Sequence, residues 1–355
     1  MTKLFIPGPT QVSKKMLKIM GTPMIGHRSA DYAILHGSVV EKLKKTLFTK
    51  NDIFLGTCSA TGMIEAAIRN CVGKKILSLG NGAFSDKWHS VAEACGKQSE
   101  NFKYEWGQAI KPVDVDAKLA TGEFDAVFIT HSETSTGVLS NLKEIAEVVK
   151  KYPNVFLLVD AVSSFAGTEI RVDEWGIDVI AFGTQKALAL PPGLAIAGVS
   201  PRALERSANM INKGYYFDFQ EFKKSAEKNN TPTTPNISLI YALDAKLNEL
   251  LEEGMENRWA RHTEMSRITQ KWAKKRGLEM FSEASYHAPT VSTIKNTHNW
   301  DIGAINKSLT EKHDCIIANG YKKLKDLTFR IGHMGDWTPK DIKKLLKWID
   351  EAVGQ

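Results

Sequence analysis

Short unbroken apolar runs, each closed by a polar or small residue, recur through the first two thirds of the chain. Residues 155–159 (VFLLV) end at Asp160, residues 179–182 (VIAF) end at Gly183-Thr184-Gln185-Lys186, and residues 194–199 (LAIAGV) follow a Pro-Pro-Gly turn. Runs this short, rich in β-branched or aromatic residues, read as strands buried on both faces. Residues 52–55, 75–79, 102–106 and 126–130 read the same way. Between these runs the apolar period lengthens. Residues 32–47, 63–71, 113–120 and 142–151 carry apolar positions at helical spacing. Strand alternating with helix predicts an α/β fold with a largely parallel, doubly wound sheet.

The pattern then shifts. Residues 201–212 read as helix, 227–235 (EKNNTPTTP) as a polar loop, and 237–253 and 255–276 as two long helices meeting at Gly254. Beyond them, strands at 290–294, 315–318 and 327–331, a helix at 300–312 and a last helix from Lys340 predict a small α/β domain with a mixed or antiparallel sheet. Asn319-Gly320 is a hairpin-type turn signal. The first thirty residues hold Pro7-Gly8-Pro9, Gly21, Pro23 and Gly26 and must largely turn or extend, apart from a helix at 13–20 capped by Ser13. The expected organisation is an arm (1–20) packing with the small domain, a large domain (21–254) and a small C-terminal domain (255–355).

Composition narrows the function. The chain has 355 residues, 43% hydrophobic and 25% charged, an ordinary globular balance. Its net charge of +7 is spread among acidic residues, as in KLNELLEEGMENRWARH. This reads as solvated helix faces, and no nucleic-acid partner is expected. Four cysteines without CxxC spacing argue against a zinc site or disulfide framework, so no metal and a reducing, cytoplasmic setting are expected. No run approaches a membrane span and the start lacks a signal-peptide core.

Candidate chemistry sits at strand ends, where open α/β sheets place ligands. Asp160 can hold a protonated ring nitrogen. Lys186, in almost wholly apolar surroundings, can carry a carbonyl cofactor as a Schiff base, since a desolvated lysine loses its proton more easily. Pyridoxal phosphate (PLP) needs both. The alternative is that Asp160 caps a turn and Lys186 is a surface lysine. The loop GTCSATG (56–62), opening a helix, is a general anion site with Ser59 and Thr61 hydroxyls as added donors.

VDAVSS followed about 26 residues later by GTQKAL resembles the class V aminotransferases of PLP fold type I. The nearest branch is the alanine/serine–glyoxylate (or pyruvate) aminotransferases, with features of phosphoserine aminotransferases. The resemblance runs from PGPT (7–10) through HSETSTGV (131–138) to RIGHMG (330–335). It implies a transaminase that moves an amino group from a small amino acid to a 2-oxo acid by a ping-pong route. It further implies a homodimer with shared active sites.

Residue by residue, the resemblance makes Lys186 the cofactor-bearing base and Asp160 the partner of the pyridine nitrogen. Ser59, Ala60 and Thr61 hold the phosphate, with Gln185 beside Lys186. Ala60 stands where the family usually has glycine, which raises the question of a positive φ. Phe84 stacks on the cofactor ring, although it equally reads as a core phenylalanine opening a helix. Thr134 bonds the cofactor near its 3-oxygen. Thr233 falls on a phosphate-contacting threonine reached from the partner subunit, and Asn230 falls where many relatives have tyrosine. Arg330 matches the arginine that clamps the substrate carboxylate. His27 and Arg28 either line the substrate entrance or serve as turn residues.

Phosphoserine with 2-oxoglutarate is the second substrate reading. It needs another anion pocket, for which His27, Arg28, Lys322 and Lys323 are the candidates. A cysteine desulfurase needs a mobile cysteine, but Cys315 precedes an apolar run. A non-catalytic PLP-fold protein has no reason to keep Lys186, Asp160 and Arg330 together. A dinucleotide-binding protein would need a GxGxxG fingerprint, which GNGAF lacks.

Overall fold

A computed structural model describes residues 2–354. Seven strands form the main sheet, in the order Asp52–Gly56, Ala195–Val199, Val179–Gly183, Phe156–Asp160, Ala126–Thr130, Lys75–Gly80 and Gln98–Lys103. Ala195–Val199 runs antiparallel to both of its neighbours, and the other adjacent pairs are parallel. The sheet is therefore mixed but mainly parallel.

The strand sequences explain why both faces are covered. Side chains alternate across a strand. Val127, Ile129, Leu157 and Val159 enter one core, with Ile180 and Phe182. Ala126, Phe128, Phe156 and Leu158 enter the other, with Val179 and Ala181. Helix Ala60–Cys71 lines the second core through Met63, Ile64, Ala67 and Ile68. Helices Ala30–Leu47 and Ile237–Glu253 line the first through Val39, Leu43, Ile240 and Leu247.

A second sheet, ordered Lys3–Phe5, Cys315–Asn319, Thr328–Gly332 and Val291–Lys295, has its own core. Phe5, Trp272, Leu309, Phe329, Ile331 and Leu345 meet there. Lys3–Phe5 pairs in parallel with Cys315–Asn319. Helix Lys14–Met20, capped by Ser13, packs instead on Ile237–Glu253.

Several expectations need correction. The strand expected at 102–106 is Gln98–Lys103. It is an edge strand that pairs only with Lys75–Gly80, so it needs no apolar run and QSENFK hides it. The helix expected at 201–212 stops at Ala208, and a short helix, Phe219–Ala226, was missed. Asp218 caps that helix, its side chain accepting from the Gln220 amide. Asn319-Gly320 does open the turn between two antiparallel neighbours, Cys315–Asn319 and Thr328–Gly332, through a connection that contains a 3₁₀ turn at Lys322–Leu324.

Candidate active site

A cleft with a free volume of about 190 Å³ lies at the carboxyl ends of the parallel strands. The register places it: Thr130 ends one strand opposite Asp160 at the end of the next, and Asp160 pairs with Ala181, just before Gly183. Ser59, Ala60, Thr61, Phe84, Thr134, Asp160, Gln185 and Lys186 all line this cleft. Eight side chains singled out along 128 positions of chain thus meet around one cavity.

Asp160 is buried, and both of its oxygens are held. Oδ1 accepts from the Val162 amide at 2.8 Å and Oδ2 from the Trp88 indole at 3.0 Å. Burial pushes its carboxyl up to about 6, against the pull of those donors and of Lys186. The Lys186 amine is pushed down to about 8, first by burial and then by the nearby Arg330 charge. Its Nζ donates to the Pro7 carbonyl. The N-terminal arm is latched over this lysine. The Thr10 amide donates to the Gln185 carbonyl at 3.0 Å, and the Thr10 hydroxyl to the Lys186 carbonyl at 2.8 Å. Gly8 takes φ +111°, and a Cβ there would stand 2.6 Å from Lys186 Cδ. Only glycine allows the arm this close.

Ser59 precedes helix Ala60–Cys71 in extended conformation, with no side-chain cap bond of its own. The free amides of the first turn, and the Ser59 and Thr61 hydroxyls, form an anion-binding end. Ala60 has no positive φ. As a helical residue it meets no strain from its methyl group, so the replaced glycine is of no conformational consequence here.

Phe84 is fixed from behind. Glu133, fully buried, accepts from the Phe84 amide at 3.1 Å and the Ser85 amide at 2.7 Å. It thereby caps helix Ser85–Ala94. Gly82 lets this carboxylate in, since a Cβ there would lie 2.3 Å from Glu133 Cγ. Thr134 Oγ1 shares a 2.5 Å hydrogen bond with Ser163 Oγ.

Arg330 stands in Thr328–Gly332, an interior strand of the small sheet. Its Nε donates to the Asn319 carbonyl at 3.0 Å, and Nη1 lies 3.5 Å from the Thr134 carbonyl. Among the described residues no carboxylate forms an ion pair with it. The guanidinium is buried, and desolvation lowers it to about 10. A buried, forked cation without an acid partner is suited to an incoming carboxylate.

The remaining expected residues do not line the cleft within one chain. Arg28 Nη1 donates to the Asn230 side chain and to the Thr231 carbonyl at 2.8 Å. The Thr233 carbonyl accepts from the Thr231 hydroxyl at 2.8 Å. His27 is half-buried outside the cleft. Lys323 lies over the Trp106 ring at 4.1 Å. No second anion pocket therefore forms from His27, Arg28, Lys322 and Lys323 in the chain alone. Cys315 is fully buried in the small sheet, away from the cleft.

The sequence reading missed Lys87, Trp88, Thr130, Ser132, Val162 and Ser163, which complete the lining. A helical signal existed for two of them. Lys87 and Trp88 follow Phe84 by three and four positions, which is one turn on the same face. Lys87 Nζ donates to Thr61 Oγ1 at 3.1 Å and brings a cation to the anion-binding end. Ser132 Oγ is buried without a partner. A lysine with a depressed pKa, a buried carboxylate, a flat aromatic wall and a donor-rich helix start are together what PLP requires of a protein.

The comparisons with known proteins agree. The family model "Aminotransferase class-V" matches residues 26–327. An uncharacterized aminotransferase of Methanocaldococcus jannaschii is 38% identical, over 99% of this chain and 92% of its own length. The soluble hydrogenase 42 kDa subunit of Anabaena cylindrica is 35% identical, over 99% and 92%. Serine–glyoxylate aminotransferase of Hyphomicrobium methylovorum is 34% identical, over 94% and 84%. The crystal structure of a subgroup IV aspartate aminotransferase from Thermus thermophilus superposes with a TM-score of 0.91 at 26% identity, covering 99% of both chains. The chain belongs to the class V aminotransferases, PLP-dependent enzymes of fold type I.

Proposed function

We propose that the enzyme transfers the amino group of a small amino acid, alanine or serine, to a small 2-oxo acid, glyoxylate or pyruvate, in two successive half-reactions. The observation that carries this reading is the convergence of Lys186 and Asp160 on one confined cleft, with the acid-free guanidinium of Arg330 held against the cleft-lining Thr134. The name of the Hyphomicrobium relative, with serine as donor and glyoxylate as acceptor, points the same way. Among the described residues the cations that line the cleft are Lys186 and Lys87.

In this reading bound PLP supplies an electron sink for the charge left at the substrate Cα. Arg330 receives the substrate carboxylate through the guanidinium N–H groups that the Asn319 and Thr134 carbonyls leave available and so fixes which Cα bond faces the lysine. Lys186 Nζ, its pKa lowered to about 8 by burial, takes the Cα proton and later returns it. Asp160 keeps a proton on the ring nitrogen by standing as its buried counter-charge. Phe84 walls the ring, and Ser59, Thr61, Gln185 and Lys87 hold the phosphate end.

We also propose a homodimer in a cytoplasmic setting. Met24, Ile34, Tyr215 and Tyr216 are large hydrophobics left exposed, and Gly37 packs near Asn229 on the same side as the Arg28–Asn230 contact. A partner would cover such side chains and bring the partner's copy of the 230–233 loop to the phosphate end. All four cysteines are free, and no helix among the described residues is long and apolar enough to cross a membrane.

The test is a donor–acceptor screen of the PLP-loaded protein: alanine, serine, aspartate and phosphoserine against glyoxylate, pyruvate and 2-oxoglutarate, with both products quantified. Turnover is expected with alanine or serine and glyoxylate or pyruvate. Turnover confined to phosphoserine with 2-oxoglutarate would overturn the substrate reading.

A further inference from the structure

Neither the carboxylate clamp nor the ring wall makes use of Tyr321, yet this side chain touches both. It lies just past strand Cys315–Asn319, on the connection to Thr328–Gly332. Its ring stacks on Phe84, with centroids 5.2 Å apart and planes 12° from parallel. The Arg330 Cζ atom lies 5.5 Å from the Tyr321 ring centroid. The Asn319 carbonyl, at the end of the same strand, holds Arg330 Nε at 3.0 Å.

The location decides what such a contact can do. Phe84 lines the cleft, and Tyr321 stacks face to face on its ring. Phe84 belongs to the large sheet's side of the molecule, where Glu133 fixes its backbone. Arg330 belongs to the small sheet, and Tyr321 to the connection between two of its strands. A tyrosine 36% exposed on a surface turn would ordinarily be solvated. Here it spends its flat face on another domain's aromatic. An offset stack and a cation over a ring each shift an equilibrium by a few-fold to about tenfold.

We propose that Tyr321 is a positioning residue for amino-acid binding. It holds the Arg330 fork in its receiving orientation and braces the Phe84 ring by stacking on it, so that carboxylate capture and the hold on the cofactor ring reinforce each other. The inference rests on the reading of Arg330 as the carboxylate clamp and of the cleft as the PLP site.

Tyr321→Ala and Tyr321→Phe, made in the full chain and loaded with PLP, test it. Tyr321→Ala should raise the KM of the amino donor about tenfold with kcat changed less than threefold, and should alter the visible circular dichroism of bound PLP. Tyr321→Phe keeps the ring and should match the parent in both. In an Arg330→Ala background, adding Tyr321→Ala should raise KM little further. A Tyr321→Ala enzyme with the parental KM and visible dichroism would overturn the proposal, as would a full-sized KM effect in Tyr321→Phe. Loss of thermal stability without a KM change would leave a merely structural role and equally overturn it. If the parent protein itself took up no PLP, the underlying reading would fail instead, and the two failures are told apart by the parent's own spectrum.

Discussion

The indole N–H of Trp88 donates to Asp160 Oδ2 across 3.0 Å, while the Val162 amide holds the other carboxylate oxygen at 2.8 Å. Even with two donors, burial raises the Asp160 carboxyl to about 6. A group whose folded pKa lies above its unfolded value contributes stability in its protonated form. That contribution is complete below about pH 4 and is lost as pH rises through about 6. In the cofactor-free protein at pH 8, Asp160 is therefore a buried charge without a cation on the ring side. Asp160→Asn cannot ionise, although its amide nitrogen must face one of the two donors. The cofactor-free variant is expected to be more stable than the parent at pH 8 by about 1–2 kcal/mol, with the gap closing at pH 4. Urea unfolding at the two pH values measures it, and equal midpoints at pH 8 would contradict the account. With PLP loaded, Asp160→Ala should keep its fold and lose most of its turnover.

Lys186 carries the opposite shift, down to about 8 through burial first and Arg330 second. Its neutral amine, the nucleophile, therefore accumulates as pH rises through about 8 rather than beyond 10. PLP uptake by the cofactor-free protein should quicken by roughly eightfold from pH 6.5 to 7.5 and level off above pH 9. Stopped-flow absorbance follows this directly. A rate still climbing tenfold per pH unit above pH 9 would mean that the amine is not desolvated.

Arg330 is a planar fork with no acid partner, and Lys would offer a point charge on a different stem. Both Arg330→Ala and Arg330→Lys should lower kcat/KM for the amino donor, the former on the order of 100-fold. PLP uptake should remain. Steady-state kinetics with a single donor read this out; parental kcat/KM in Arg330→Ala would remove it from the clamp role.

Lys87 reaches Thr61 Oγ1 from an exposed position, so its pull on a phosphate is partly screened. Lys87→Gln is expected to weaken PLP binding about tenfold at low salt and much less at 1 M salt. Titration of cofactor-free protein with PLP at two ionic strengths distinguishes this from a structural effect, which salt would not erase.

Much of this was legible in the sequence, for physical reasons that differ by element. Helix Ile237–Glu253 was read to its exact ends because Gly254, with φ +79°, stops it. Strand Phe156–Asp160 announces itself because both faces are buried and every position but the last is apolar. Gln98–Lys103 was illegible because an edge strand paired on one side can be mostly polar, here with Phe102 alone packed on the core. Asp160 and Lys186 stood out at strand ends, whereas Arg330 became a candidate only through the family resemblance. Trp88, Ser163 and Tyr321 escaped notice because their roles depend on partners 72, 29 and 237 positions away in sequence, which no local pattern encodes. Within one chain Arg28 bonds the Asn230 side chain and the Thr233 carbonyl bonds its own loop, while Thr233 was expected at the phosphate of the partner subunit, a placement that a single chain does not test.

The whole account turns on one covalent attachment. The PLP-loaded protein should be reduced with borohydride, digested and mapped by mass spectrometry. The pyridoxyl label is expected on the peptide carrying Lys186, with no label there in Lys186→Ala and no turnover by that variant. A label on another lysine, or none after loading, would show that Lys186 does not bear the cofactor.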